Sequence, residues 1–208
     1  MSFISYAFFL LYLLALAVRW LPGKATAGLS GPRVFALLLL SWVFYAWHVP
    51  WYICLIIFST LVNYAAGLVL GVTATANRNH RRGVLAFSLF ANLGLLAYFK
   101  YAGFLVLSIN AAVDGSWSLP AVLLPIGISF YTFQSMSYTI DVYRRTIEPE
   151  RNFIRFACYI AFFPQLVAGP IVRASAFLYQ FNRRRRFHWR IFSEGGYLIL
   201  RGLFLKMV

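Results

Sequence analysis

Four polar residues recur at helical spacing inside an apolar stretch of this chain. They are Tyr131, Gln134, Tyr138 and Asp141, within PIGISFYTFQSMSYTIDVYR at residues 125–144. Offsets of i, i+3, i+7 and i+10 stack them on one face of an α-helix. In hydrocarbon a Gln or Asp costs several kcal/mol unless it is paired or meets water, so that face must line a protein interior or a wet cavity. It is either a packing face whose polar groups bond one another or the wall of a substrate pathway. Gln165 offers a further amide in the next apolar run, and Lys100 is the only basic residue of LLAYFKYAGFL. Amides and phenols donate and accept hydrogen bonds, but none of these is a nucleophile or base at neutral pH, so their chemistry is positioning and lining. Asp141 sits where the helix meets the aqueous edge. It either pairs with Arg144 or Arg145, a bond worth a few tenths of a kcal/mol, or takes a substrate role. Lys100 either snorkels to an interface beside Tyr98 and Tyr101 or meets an anionic donor group in the cavity.

No catalytic group stands out. His48 lies in a Trp/Pro turn, His80 in a basic stretch and His188 in an arginine run, each without a Cys, Asp or Glu spaced as a partner, so no metal site or triad is visible. FNRRRRFHWR resembles a nucleic-acid segment in composition, yet beside membrane spans it reads as a cytoplasmic segment drawn to anionic headgroups. Gly67, Gly71 and Gly94 are read as sites of close helix packing. Cys54 and Cys158 are read as buried small hydrophobes and not as a disulfide.

The elements that hold these residues follow from composition. Of 208 residues 62% are hydrophobic and 12% charged, with mean hydropathy +0.73, which excludes a water-soluble globular class. Apolar runs at roughly 3–18, 34–49, 51–70, 84–107, 119–140, 153–172 and 192–208 predict membrane helices. Residues 2–18 lack the positive flank of a signal peptide and precede further runs, so they read as a span. Trp20, Trp42, Trp47, Trp51, Trp117 and Trp189 fall near run ends as interfacial anchors do, Trp42 least well. Pro50 marks a tight turn between the second and third runs.

The net charge of +14 is concentrated between runs. Loops 19–33, 71–83 and 142–152 are basic and expected in the cytoplasm, whereas 108–118, with Asp114 alone, is expected outside. The N-terminus is then extracytoplasmic. A full crossing by 153–172 would put Arg173, Arg183 to Arg186 and Arg190 outside, against that rule. Pro164, Gln165, Gly169 and Pro170 also break the helix, and non-helical backbone at membrane depth survives only when buried in protein or lining a cavity. The run is therefore predicted to be a re-entrant hairpin dipping in around Pro164. The fold class is all-α, a polytopic transmembrane helical protein of about six spans plus that hairpin.

The stretch 125–144, followed by FACYIAFFPQLVAGPIVR at 156–173, resembles the paired signature of the membrane-bound O-acyltransferase family, in its alginate O-acetyltransferase-like branch. YAW and NY at 45–64 and the triplet Phe99, Lys100, Tyr101 extend the similarity. The resemblance implies an integral protein of the bacterial inner membrane that transfers an acyl group, usually acetyl, to hydroxyls of an extracytoplasmic polysaccharide. It implies an activated donor such as a thioester as co-substrate, no bound cofactor, and accessory acetylation proteins as partners beside the lipid bilayer and the polymer. The family's histidine lies on a membrane-embedded helix in a C-terminal half that has no counterpart here. Residues 1–208 are accordingly expected to be the N-terminal portion of a single transmembrane domain, ending 14 residues into an apolar run, with no catalytic residue of its own. Tyr131, Gln134, Tyr138, Asp141, Gln165 and Lys100 would line its pathway. The competing readings are a non-catalytic membrane scaffold and, from the stripe and broken hairpin alone, a transporter.

Overall fold

A computed structural model describes residues 5–20, 29, 31–47, 49–73, 78–113, 124–125, 127–166, 169–182 and 188–207. Among these the regular elements are all helical: α1 Tyr6–Trp20, α2 Gly31–Ala46, a 3-10 turn Pro50–Tyr52, α3 Ile53–Val72, α4 Arg78–Val113, α5 Ile128–Tyr143, α6 Phe153–Ala161, α7 Phe163–Leu166, α8 Ala174–Asn182 and α9 Trp189–Met207. Each apolar run contains helix, the run at 153–172 in two pieces, α6 and α7. The Pro50 turn forms as expected, with Tyr52 N–H donating to Val49 O at 3.0 Å.

Among the described residues two segments are long and apolar enough to cross a membrane, Pro50–Val72 with 23 residues and Arg78–Val113 with 36. At 1.5 Å per residue the second reaches about 54 Å, beyond the roughly 30 Å hydrocarbon core. This corrects two expected loops. Residues 78–83 are the first turns of α4 and not part of a loop at 71–83, and α4 runs on through Val113 where a loop at 108–118 was expected. Arg, Asn and His read as loop in a hydropathy pattern, but arginine is a good helix former. Residues 114–123, with Asp114 and Trp117, lie outside the described set, as do His48 and Arg183 to Arg186. α9 begins at Trp189, before the apolar run, and carries an Arg190 to Glu194 ion pair of 3.0 Å on its first turns.

α5 is the hub, packed against α3, α4 and α6, with Tyr131, Tyr138, Phe156, Tyr159 and Phe163 fully buried around it. Gly67 admits the Tyr138 ring, since a Cβ there would stand 2.7 Å from its hydroxyl, and Gly71 admits Pro149. Gly94 borders open space and is no packing glycine. Cys158 is buried, but Cys54 is exposed, contrary to its expected burial, because it lies on the outward arc of α3. Large apolar side chains such as Phe9, Phe58, Phe87, Phe90 and Phe104 cover the outside, a surface suited to hydrocarbon rather than water.

The basic ends meet at one end of the bundle. Arg81 donates to Tyr143 O at 2.8 Å, and Tyr64 Oη donates to Arg151 O at 2.6 Å. Leu29 N–H donates to Phe181 O at 2.7 Å, and Arg155 Nη1 to Asn182 Oδ1 at 2.8 Å. The segments around Leu29, Arg81, Arg151 and Asn182 thus share an end, the arrangement the charge pattern requires.

Candidate functional site

The site is built where α6 breaks. Asn152 caps that helix, its Oδ1 accepting from Arg155 N–H at 3.1 Å. Pro164 cannot donate to the carbonyl four residues back and its ring crowds it, so regular helix ends at Phe162 (ψ 105°). Pro164 then falls in the first turn of α7, where a missing N–H is harmless. The break orphans the carbonyl of Tyr159 and the N–H of Phe163, a costly pair to bury unpaired.

Neighbouring helices supply the partners. Gln134 Nε2 of α5 donates to Tyr159 O at 2.7 Å, and Ser41 Oγ of α2 accepts from Phe163 N–H at 3.3 Å. Gln165 Nε2, on α7, donates to Gln134 Oε1 at 2.9 Å and to Pro170 O at 3.0 Å. Tyr159 Oη donates to Val172 O at 3.0 Å, and its ring packs 5.4 Å from Phe177 of α8. The chain thus turns at α7 and returns beside α6, as a helical hairpin whose two ends, Arg155 and Asn182, are bonded. Nine residues of α6 reach only about 14 Å, roughly half a hydrocarbon core.

Gly127 completes the contact. Its φ of +75° lies in the left-handed region, and a Cβ there would stand 2.8 Å from Leu166 O at the hairpin tip. Only glycine meets both demands without strain.

The stripe is therefore buried against protein. Gln134 binds the hairpin, Tyr138 Oη accepts from Glu150 N–H at 3.0 Å, and Tyr131 faces Tyr45 of α2 with ring centroids 6.1 Å apart. The hydroxyls of Tyr131, Tyr45 and Thr132 are buried without a hydrogen-bond partner among the described residues. Asp141 is half-buried in the last turn of α5, apart from the amide cluster. Lys100 is exposed on α4, its Nζ 5.4 Å from the Tyr101 ring centroid, and is not brought to the stripe. Gln134 and Gln165 are joined, and Tyr131 and Tyr138 stand one turn to either side.

Sequence reasoning missed the second face of α5. Ser59 Oγ donates to Asn92 Oδ1 at 2.7 Å and lies 3.1 Å from Ser135 Oγ. Asn63 Oδ1 accepts from Ser88 Oγ at 2.9 Å and Thr139 Oγ1 at 2.8 Å. Each of α3, α4 and α5 contributes a pair at i, i+4: Ser59 and Asn63, Ser88 and Asn92, Ser135 and Thr139. That spacing inside apolar runs was the available signal. Ser41 and Tyr159 gave none, because their role depends on the break in α6.

His80 is exposed on the first turn of α4 and His188 is exposed just before α9. Among the described residues no three His, Cys, Asp or Glu side chains gather as metal ligands.

Known proteins resemble this chain in sequence. Over 186 residues, 86% of the chain, it is 44% identical to a "Probable alginate O-acetylase" of Pseudomonas syringae pv. tomato and 42% identical to one of Pseudomonas aeruginosa. Over 199 residues, 83% of the chain, it is 30% identical to a peptidoglycan O-acetyltransferase of Helicobacter pylori. These alignments cover 35%, 35% and 37% of the relatives, so the chain spans about a third of the length of the curated relatives it matches. No protein-family model and no solved structure matches it.

Proposed function

Because the chain belongs to the membrane-bound O-acyltransferase family, being 40–44% identical to alginate O-acetylases over 86% of its length, we propose that it serves transfer of an acetyl group to hydroxyls of an extracytoplasmic polysaccharide. That identity is the observation that carries the reading. Alginate is the proposed acceptor, from the names of these relatives. The donor is an activated acyl group such as a thioester, and accessory acetylation proteins work with the enzyme at the bacterial inner membrane.

Within that function residues 1–208 supply framework and pathway wall. Gln134 and Gln165 fix the tip of the broken hairpin on α5, and a hairpin entering and leaving by one face leaves the opposite face open to the polymer. The amides and phenols hold and orient, and the proton-transfer base is expected from the part of the relatives' length that this chain does not span. A second reading, a non-catalytic scaffold of a polysaccharide-modifying complex, is favoured by one observation: the Gln134 and Gln165 amides and the Tyr159 hydroxyl all bond within the protein.

Membranes from cells with and without the intact gene, given a labelled acetyl thioester and either an alginate-type polyuronate or peptidoglycan, separate these readings. Gene-dependent label on the polyuronate is the expected result. Label on peptidoglycan alone replaces the acceptor, and label on neither overturns the enzymatic reading.

A further inference from the structure

Arg173 stands apart from the other arginines around the hairpin. The charge pattern groups it with the cytoplasmic ones, yet the whole length of α8 separates it from Asn182, which is bonded to Arg155 at the basic end. At 1.5 Å per residue that separation is about 14 Å, half of the roughly 30 Å hydrocarbon core, so with the hairpin in a membrane Arg173 sits near mid-depth beside the tip. Snorkelling covers only part of that distance.

The neighbouring arginines are compensated. Arg81 donates to Tyr143 O at the negative end of α5, with its guanidinium 5.3 Å from the Tyr143 ring centroid. Arg155 is held by Asn182, and Arg190 by Glu194. The Arg173 guanidinium is exposed and has no acceptor, carboxylate or ring among the described residues. It also precedes Ala174, the first residue of α8, where the helix dipole is positive and opposes a cation. A charge at membrane depth that neither a carboxylate nor a helix end offsets calls for an anion.

The backbone leading to it is fixed. Gln165 Nε2 donates to Pro170 O and Tyr159 Oη to Val172 O, which ties 170–172 to the amide cluster. Ile171 and Arg173 are exposed and Val172 between them is half-buried, the alternation of extended chain. Gln165, joined to this stretch through Pro170, has an Oε1 that accepts no hydrogen bond from the described residues and suits a sugar hydroxyl.

A guanidinium pairs bidentately with carboxylate or phosphate. Arg173 brings one positive charge, and a uronate sugar brings one carboxylate. A phosphate-bearing acyl donor would carry excess negative charge to a depth where it is costly. We propose that Arg173 recognises the acceptor polysaccharide, its guanidinium pairing with the carboxylate of one uronate sugar at the hairpin tip. This rests on the polysaccharide reading above and on the hairpin lying in the membrane.

The test is equilibrium binding by the product of the intact gene, purified in detergent, of a labelled oligouronate and of the same oligosaccharide with its carboxyls reduced to alcohols. The unaltered protein should bind the oligouronate roughly ten- to a hundredfold tighter than the reduced form, the range of a hydrogen bond to a charged group. Arg173→Gln should bind both alike, and Arg173→Lys, which keeps the charge and loses the planar fork, should recover part of the preference. Equal binding of the two forms by the unaltered protein overturns the proposal without any variant. So does a preference that survives in Arg173→Gln, and weaker binding of an acyl thioester by that variant would then assign the cation to the donor. Carboxylate-dependent binding by a protein that acetylates no polymer upholds the site and removes the enzymatic reading; gene-dependent acetylation with equal binding does the reverse.

Discussion

At the residue scale Gln134 matters most, because one side chain serves two groups stranded by the hairpin, Tyr159 O and Gln165 Nε2. Gln134→Leu orphans that buried carbonyl, at about 1–3 kcal/mol if nothing replaces the bond and nearer 0.6 kcal/mol for an average interhelical bond in a bilayer. Neither figure unfolds a bundle of this size. The expected outcome is acetylation reduced roughly tenfold with membrane protein at its normal level. Phe133→Leu is the control, since Phe133 is 44% exposed on the lipid-facing arc of the same helix. Equal losses in both variants, tracking protein level by immunoblot, would make the stripe purely structural. Asn63→Leu is expected to act on stability instead, stranding the Ser88 and Thr139 hydroxyls and lowering the thermal midpoint of the purified protein, whereas an unchanged midpoint would remove the polar network from the account. The stripe was legible in sequence because Gln and Tyr at a 3.6-residue period contrast with apolar neighbours. The Ser and Asn pairs were not, because such small polar residues pass unnoticed in membrane helices until their partners on other helices are known.

Among the elements, the hairpin was the part most open to sequence reasoning. Pro164, Gly169 and Pro170 forbid continuous helix, and the arginines beyond Arg173 oppose a crossing. What sequence could not give was the closure, Arg155 to Asn182, or the partners of the broken backbone, since both are tertiary. α4 was underestimated for a related reason: its polar first turns look like loop although nothing in them stops a helix. Two predictions belong here. Gly127→Ala is expected to destabilise by about 1–3 kcal/mol, from a left-handed backbone and a collision with Leu166 O, read as a lowered thermal midpoint; an unchanged midpoint would detach the hairpin tip from α5. Single cysteines placed in 19–33, 73–77 and at His188 in a cysteine-free background should resist a membrane-impermeant thiol reagent added outside intact cells, and one in 114–118 should react. Labelling at His188 from outside would turn the hairpin into a crossing.

For the whole molecule, the apolar exterior, the two helices of spanning length among the described residues and the polar interior around α5 suit the proposed role as the framework of a membrane acyltransferase. Residues 1–208 alone are expected to transfer no acyl group above a heat-killed control, since the described histidines, His80 and His188, are exposed at helix ends and general base catalysis is commonly worth about 10² to 10⁴ in rate. Transfer by the purified chain would relocate the base to these residues. The most direct measurement of the central claim is ester-linked acetyl per sugar in polysaccharide from cells with the gene disrupted, then complemented with the unaltered gene or with Gln134→Leu. Loss on disruption, full recovery with the unaltered gene and poor recovery with the variant at equal membrane protein are the expected results. Acetyl content unchanged by disruption would contradict the claim.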